Sequence, residues 1–358
     1  LLAHPKVSHE LNETFIADFL LFGASIEQGA TVYKHIKRLP AAHYMVVGPN
    51  GIRLNRYWSA PLHQVVRYSR ATEYTEHFAS IFEKAVTERI PPTKIALELS
   101  GGMDSGSIAA VAAAHAEEGG QKIMAFTNTC EDLIPEDKEG QFAKMIASHL
   151  GIPLQLSASG DYPLFDRFES PALHTPEPFS NPALAQHYDK AKQMVDSGCR
   201  VLLSGQVGDT LFAGSNTYFP HLLKSGKWIR LLADAHVHRN NRGSLTGTGL
   251  GEAVKAPFRK LRRKKHWQPE LPVWLNPEFA ERVKLKDRWL TIWQLWGELT
   301  DTYGQLQRPW FDSIFGSYEA LKIPWVVRHP YSDVRLVEFM LRTPNYMHYN
   351  KRLLREAM

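Results

Sequence analysis

The chain has 358 residues, 44% of them hydrophobic and 22% charged, the balance of a soluble globular protein with room for one large domain or two. Lys plus Arg number 42 against 37 Asp plus Glu, and the resulting formal charge of +5 is too small at this size to point to any class of partner. No apolar run reaches the roughly 18–20 residues that span a bilayer, the start Leu1-Leu2-Ala3-His4-Pro5 is not a signal peptide, and two cysteines, Cys130 and Cys199, exclude a disulfide framework or a four-cysteine metal site; a cytoplasmic protein without a membrane partner is expected.

Residues 44–47 and 52–54, joined by Gly48-Pro49-Asn50-Gly51, read as two short strands around a turn. Residues 71–90 place Phe78, Ile81, Phe82, Ala85 and Val86 at helical spacing, and Pro91-Pro92 ends that helix. Strand and helix then alternate. Residues 94–99 form a short apolar strand, 105–118 an alanine-rich helix, 122–127 a strand, 138–150 a helix, 152–156 a strand, 182–197 a helix and 200–203 a strand. Alternation of this kind predicts an α/β fold, a parallel sheet with helices on both faces. Ligands bind such sheets at the carboxyl ends of the strands, and the glycine-containing loops after Leu99 and Leu203 fall there. Residues 238–264 read as a long loop ending in the basic run Arg259 to Lys265. From Asp287 to Met358 the chain is helical in tone, and Trp289, Trp293, Trp296 and Trp310 are expected to pack between helices. The scattered histidines have no metal-ligand spacing.

The loop Ser100-Gly101-Gly102-Met103-Asp104-Ser105 follows a strand and opens a helix, so it presents backbone N–H groups and the positive end of the helix dipole to an anion. Gly101 and Gly102 let the backbone approach a phosphate closely. Ser100 and Ser105 add hydroxyl groups, and Asp104 supplies a carboxylate for Mg²⁺. A plain glycine turn with a helix cap explains the glycines but not six specified residues in this context. The Walker loop is excluded, because no Gly-Lys-Ser/Thr follows. The chain is expected to bind ATP here and to activate a second substrate with it.

Ser-Gly-Gly-Met-Asp-Ser resembles the pyrophosphate-binding loop of the PP-loop ATP pyrophosphatases, and the chain resembles the asparagine synthetase family along nearly its whole length. Ile36-Lys37-Arg38-Leu39-Pro40-Ala41-Ala42-His43 and Arg56-Tyr57-Trp58 are similar to the segment joining that family's glutaminase and synthetase domains. Ser204-Gly205-Gln206-Val207-Gly208-Asp209-Thr210-Leu211-Phe212-Ala213-Gly214 resembles its second loop. Arg328-His329-Pro330-Tyr331-Ser332-Asp333 and Lys351-Arg352-Leu353-Leu354-Arg355-Glu356-Ala357 resemble its C-terminal signatures.

The resemblance implies an adenine nucleotide alpha-hydrolase-like sheet with a helical C-terminal part in residues 61–358, and a small β-rich remnant of a glutaminase-type domain in residues 1–60. It implies that Leu99, Ser100, Gly101, Gly102 and Ser105 hold nucleotide and pyrophosphate, that Asn128 contacts the adenosine part, and that Ser204 and Gly205 touch the nucleotide. Asp104 and Asp209 would bind Mg²⁺, and Lys351 would offset the charge that develops as an acyl-adenylate forms and reacts. Gln206 stands at a further catalytic position. The implied reaction joins a carboxylate and an amine, releasing AMP and pyrophosphate.

Three departures qualify the resemblance. The chain begins at Leu1 where the family's glutaminase needs a cysteine, and so reads as a fragment clipped at both ends. Gln206 replaces the usual Glu and also differs from the Tyr of β-lactam-forming relatives. Val326 replaces the Glu common two residues before the signature Arg. The last two point to a different amine nucleophile. Three readings therefore stand: a glutamine-hydrolysing asparagine synthase-like amidotransferase, a lasso-type peptide macrocyclase, and an RNA-binding or tRNA-modifying PP-loop protein. Only the basic run supports the third, and without interleaved aromatics it reads as a solvated loop. Expected partners are small-molecule or peptide carboxylates and amines, with no nucleic acid; a homodimer stays open.

Overall fold

The computed structural model describes residues 1–27, 29–61, 64–179, 181–212, 219, 222–223, 226–242, 269–298, 321–344 and 347–358. The basic run 259–265, Ala213, Gly214 and Trp310 lie outside these. The chain divides into two compact units, one of Leu1–Leu62, Glu177–Ser180 and Ala213–Ser313, the other of His63–Pro176, Asn181–Phe212 and Ile314–Met358. Among the described residues, no helix is long and apolar enough to cross a membrane.

In the first unit, helix α1 (Glu13–Phe22) starts at Asn12, whose side chain accepts the Phe15 N–H, and ends at Gly23 in the left-handed region (φ 71°). Ala17 packs with Leu275, Ala280 and Leu285. Beside it the buried Asp18 accepts two hydrogen bonds from Arg288, at 2.6 and 2.7 Å, so its charge is matched where water cannot reach it. The expected hairpin is present as strands β1 (His43–Gly48) and β2 (Gly51–Arg56), paired antiparallel. Helix α1 has no counterpart in the sequence expectation: Phe15 to Ala17 and Phe19 to Phe22 are apolar with only Asp18 between them, and so unbroken a run hides the helical period. Trp289 packs edge-on against Phe22 with ring centroids 6.0 Å apart, as expected of a tryptophan between helices; Trp293 is exposed.

The second unit is built on five parallel strands: β3 (Ile95–Glu98), β4 (Ile123–Thr129), β5 (Leu154–Ala158), β6 (Val201–Leu203) and β7 (Val326–Arg328), in the order β5-β4-β3-β6-β7. Helices α2 (Ala71–Thr87), α3 (Met103–Gly119) and α4 (Glu139–His149) share one core with the sheet, and α5 (Leu184–Asp196) packs on the other face through Met194 against Ala96, Phe126 and Leu202. Helix α2 buries Tyr74, Phe78, Phe82 and Val86, spaced four apart on one stripe, and Phe78 stacks on Phe82. Burying each such ring contributes about 1.5–3 kcal/mol. The chain leaves β3 for β4 on one side and later enters β6 on the other, so the strand order reverses at β3 and a crevice opens at its carboxyl end.

The α/β architecture and all four expected strands of this sheet are present. In the segment from Asp287 onward, read as helical in tone, residues 326–328 instead form the fifth strand, hydrogen-bonded beside β6. Three residues are too few for a period of two to show in a sequence. Helices α7 (Val334–Arg342) and α8 (Arg352–Ala357) follow and close the core with Leu336, Phe339, Leu353 and Leu354.

Candidate functional site

At the carboxyl end of β3 the backbone turns sharply into α3. Gly101 has φ 72°, and a Cβ there would come within 2.6 Å of Phe142 Cβ and 2.7 Å of the Glu139 carbonyl oxygen, so only glycine lets the loop lie against α4. Gly102 caps α3. The buried Ser105 works inside the loop: its hydroxyl donates to the Gly102 carbonyl at 3.2 Å and accepts the Ser100 N–H at 3.1 Å. Thr127 donates to the Leu99 carbonyl and Leu99 N–H donates to Phe126, which ties the loop root to β4. The first-turn N–H groups of α3 have no partner within the helix and face the crevice.

The second loop, after β6, closes on the first. Gly205 sits so near α3 that a Cβ would be 3.1 Å from the Ser105 nitrogen. Helix α6 (Gly208–Phe212) follows and carries Asp209. Lys351 lies at the entry to α8, where Asn350 and Lys351 both take left-handed backbone (φ 53°), a conformation costly for residues with a Cβ. This turn brings Lys351 Nζ to 2.8 Å from Asp104 Oδ2 and 2.6 Å from Asp209 Oδ1. Burial raises the Asp104 carboxyl above its ordinary value against the pull of Lys351, while the two carboxylates together raise Lys351 despite its own desolvation. Asp104 Oδ1 is buried with no hydrogen-bond partner among the described residues. Tyr331, fully buried, donates to the Asp104 carbonyl at 3.2 Å, so the signature at 328–333 braces the start of α3.

These groups line a cavity of about 460 Å³, the size of a small-molecule site. Leu99, Ser100, Gly102, Asp104, Ser105, Asn128, Gly205, Gln206, Asp209 and Lys351 border it. Two of the expected residues do not: Gly101 is packed on α4, and the fully buried Ser204 turns its hydroxyl to Glu98 at 2.6 Å. Asn128, near the end of β4, has a buried Oδ1 with no partner among the described residues. Glu98 and Lys190, absent from the sequence expectation, form the wall on the α5 side, with Lys190 Nζ donating to Glu98 Oε1 at 3.0 Å. Burial would raise the Glu98 carboxyl, but Lys190 and the Ser204 hydroxyl outweigh it and hold it down to about 2. The pocket thus has Lys351, paired with Asp104 and Asp209, beside the N-terminus of α3, and Glu98, paired with Lys190, on the α5 side, with an amide oxygen from Asn128; the mixture of cations, N–H donors and acceptors suits an anionic ligand that also carries hydrogen-bond donors.

Residues 77–314, more than half of the chain, match the family model described as Asparagine synthase. The chain belongs to the asparagine synthase family. Members of this family are ATP-dependent ligases that form amide bonds. The chain is 24% identical over 399 residues to glutamine-hydrolysing asparagine synthetase 3 of Bacillus subtilis, covering 100% of this chain and 57% of that protein. It is 23% identical over 239 residues to the amidase chyE of Penicillium rubens, covering 59% of this chain and 35% of the relative. It therefore spans little more than half the length of the first relative and about a third of the second. Among solved structures, an NH3-dependent NAD synthetase from Campylobacter jejuni aligns with 61% of this chain and 93% of its own at 15% identity and a TM-score of 0.29. Both loops, at 99–105 and 204–209, lie within the stretch matched to the asparagine synthase model.

Proposed function

We propose that the chain is the synthetase part of an ATP-dependent amide-forming enzyme, working through an acyl-adenylate. The convergence of Asp104, Asp209 and Lys351 beside the N-terminus of α3 carries this reading. Residues 61–358 would be the synthetase domain, and residues 1–60 the end of a glutaminase-type domain.

The first loop and the dipole of α3 would take the pyrophosphate end of ATP. The donor set fits Mg²⁺: Asp104 keeps a buried carboxylate oxygen unmatched and Asp209 is exposed. No cluster of three or more His, Cys, Asp or Glu residues able to hold a metal occurs among the described residues. Two carboxylates with phosphate oxygens and water are the usual surroundings of this ion. Bound there, Mg²⁺ would neutralise phosphate charge. The substrate carboxylate attacks the α-phosphorus, the bond to the β-phosphate oxygen breaks and pyrophosphate leaves. The amine then attacks the acyl carbon, AMP leaves, and the amine gives up a proton. Lys351 would turn from the carboxylates to the phosphate as charge builds up, an interaction worth most in the transition state. Gln206 can orient the amine by hydrogen bonding but has no proton affinity to act as its base.

Gln206 is the observation that favours a second reading, in which a larger amine such as a peptide N-terminus replaces ammonia, as in a lasso-type macrocyclase. ATP–pyrophosphate exchange in the presence of aspartate or of peptides with side-chain carboxylates tests the first half-reaction. A chain that neither exchanges with any of them nor binds MgATP would refute the proposal.

A further inference from the structure

A line of hydrogen bonds runs under the pocket from α5 to the second loop. Lys190 Nζ donates to Glu98 Oε1 at 3.0 Å, Ser204 Oγ donates to Glu98 Oε2 at 2.6 Å, and Gln206 N–H donates to Ser204 Oγ at 3.3 Å. Lys190 is 3% exposed and Ser204 is 0% exposed, so both donors are withdrawn from water, while Glu98 on the pocket wall keeps 23% of its side chain exposed. A serine hydroxyl has one proton and two lone pairs. With its proton committed to Glu98, Ser204 can only accept from Gln206. The ionised carboxylate, which accepts and never donates, therefore sets the direction of the whole line.

What the line ends on is strained. Val207, the next residue, has φ 77°, and a β-branched side chain in left-handed backbone is an outlier that persists only where its surroundings fix it, at a cost of about 1–3 kcal/mol. Downstream, Gly208 rests on the Asp104 side chain. Upstream, the Gln206 N–H is held by Ser204. We infer that Glu98 is a positioning residue: acting through Ser204, it holds Gln206 and the strained Val207 in place and so sets the second loop against the first. For its bearing on ATP this rests on the function proposed above; for the posture of the loop it does not.

A pair that only stabilised the fold would behave differently under substitution. Glu98→Gln leaves one acceptor oxygen for two buried donors. Charged Lys190 forms the stronger bond and takes it. The amide N–H₂ then faces Ser204, whose own proton loses its acceptor, and the hydroxyl turns away from Gln206. Adding Lys190→Met removes the competitor and returns the oxygen to Ser204. The double variant is therefore expected to be closer to the unmodified chain than Glu98→Gln alone, although it lacks both charges.

Amide hydrogen exchange at Gln206 and Val207, measured on the free full chain, tests this without any ligand. Exchange should be about tenfold faster in Glu98→Gln, as the loss of one hydrogen bond implies, and should return close to the original rate in Glu98→Gln/Lys190→Met. Ser204→Ala, which leaves the Glu98–Lys190 pair intact, should match the faster rate and keeps the test alive if Glu98→Gln folds poorly. Unchanged exchange in Ser204→Ala, or a double variant faster than the single, overturns the inference. In a second arm, calorimetry with MgATP should show affinity falling in Glu98→Gln and recovering in the double variant. An unmodified chain that does not bind MgATP would count against the proposed function, and hydrogen exchange would still decide the role of Glu98.

Discussion

A methyl group on Gly208 would lie 2.3 Å from Asp104 Oδ2 and 2.9 Å from its Cβ, so the second loop closes on the first with no room for a side chain. Gly208 opens α6, where alanine would otherwise favour the helix by about 0.5–1 kcal/mol. Gly208→Ala is expected to lower the melting temperature nonetheless, with an overpacking cost of about 1–3 kcal/mol. MgATP affinity should fall with it, because Asp104 must move off Lys351. A variant with raised stability and unchanged affinity would show that the loops do not meet in this way.

Lys351→Ala should lower the rate of ATP–pyrophosphate exchange by about 10²–10³, the usual weight of a cation aimed at developing charge. It should also move the pH profile of MgATP binding. Burial already raises the Asp104 carboxyl, and Lys351 restrains that rise. Without the lysine the carboxyl climbs further, so binding that needs the ionised form is lost at a higher pH as the solution is acidified. Titrations of both proteins by calorimetry from pH 8 to 5 compare the two midpoints; a shift to lower pH is the opposite of what this geometry requires.

Free ammonia should be a poor nucleophile for the unmodified chain, since Gln206 cannot take a proton from it. With aspartate, ATP, Mg²⁺ and ammonia, little asparagine is expected, and Gln206→Glu should gain some. Rapid asparagine formation by the unmodified chain would rule out the macrocyclase reading.

Three histidines make stability fall on mild acidification. Burial holds His187, His329 and His348 at about 4, below the 6.5 of the unfolded chain. Between these values the unfolded state binds more protons, so stability drops as pH falls from 6.5 toward 4, by up to about 1.4 kcal/mol per pH unit for each histidine. Glu98 adds a second loss lower down, as pH falls from 4.5 toward 2. Imidazole proton resonances should show three rings that do not titrate between pH 8 and 5. If all 16 histidines shift in that range, the buried assignments are wrong.

The turn at 100–105 could be read from the sequence because its glycines, its serines and Asp104 act locally, within six residues of one strand-to-helix junction. The second loop and Lys351 could be placed only through ordered resemblance, since nothing local about one lysine or one aspartate marks it. Glu98 and Lys190 escaped for opposite reasons. Glu98 is the single charge at the end of an apolar strand, a signal that was present but reads as an edge residue. Lys190 sits in a helix full of polar side chains, where a lysine reads as solvated, although its neighbours bury it to 3% exposure. Burial of this kind depends on which face of α5 meets the sheet, and the order of the strands decides that. Strand β7 was hidden by length alone, and Val326, read as a departure from the family's glutamate, proves to be its first residue.

The bond between Lys351 and Asp104 spans 247 residues of chain. At a synthesis rate of about 5–20 residues per second, the loop at 100–105 leaves the ribosome roughly 10–50 s before the lysine that pairs with it. Throughout that interval the growing chain holds Asp104 without Lys351 beside it. Contacts so distant in sequence also close late in folding, since the intervening chain must first lose its freedom. A polypeptide that stalls before Lys351 would therefore hold both aspartates of the pocket, Asp104 and Asp209, without the lysine that links them.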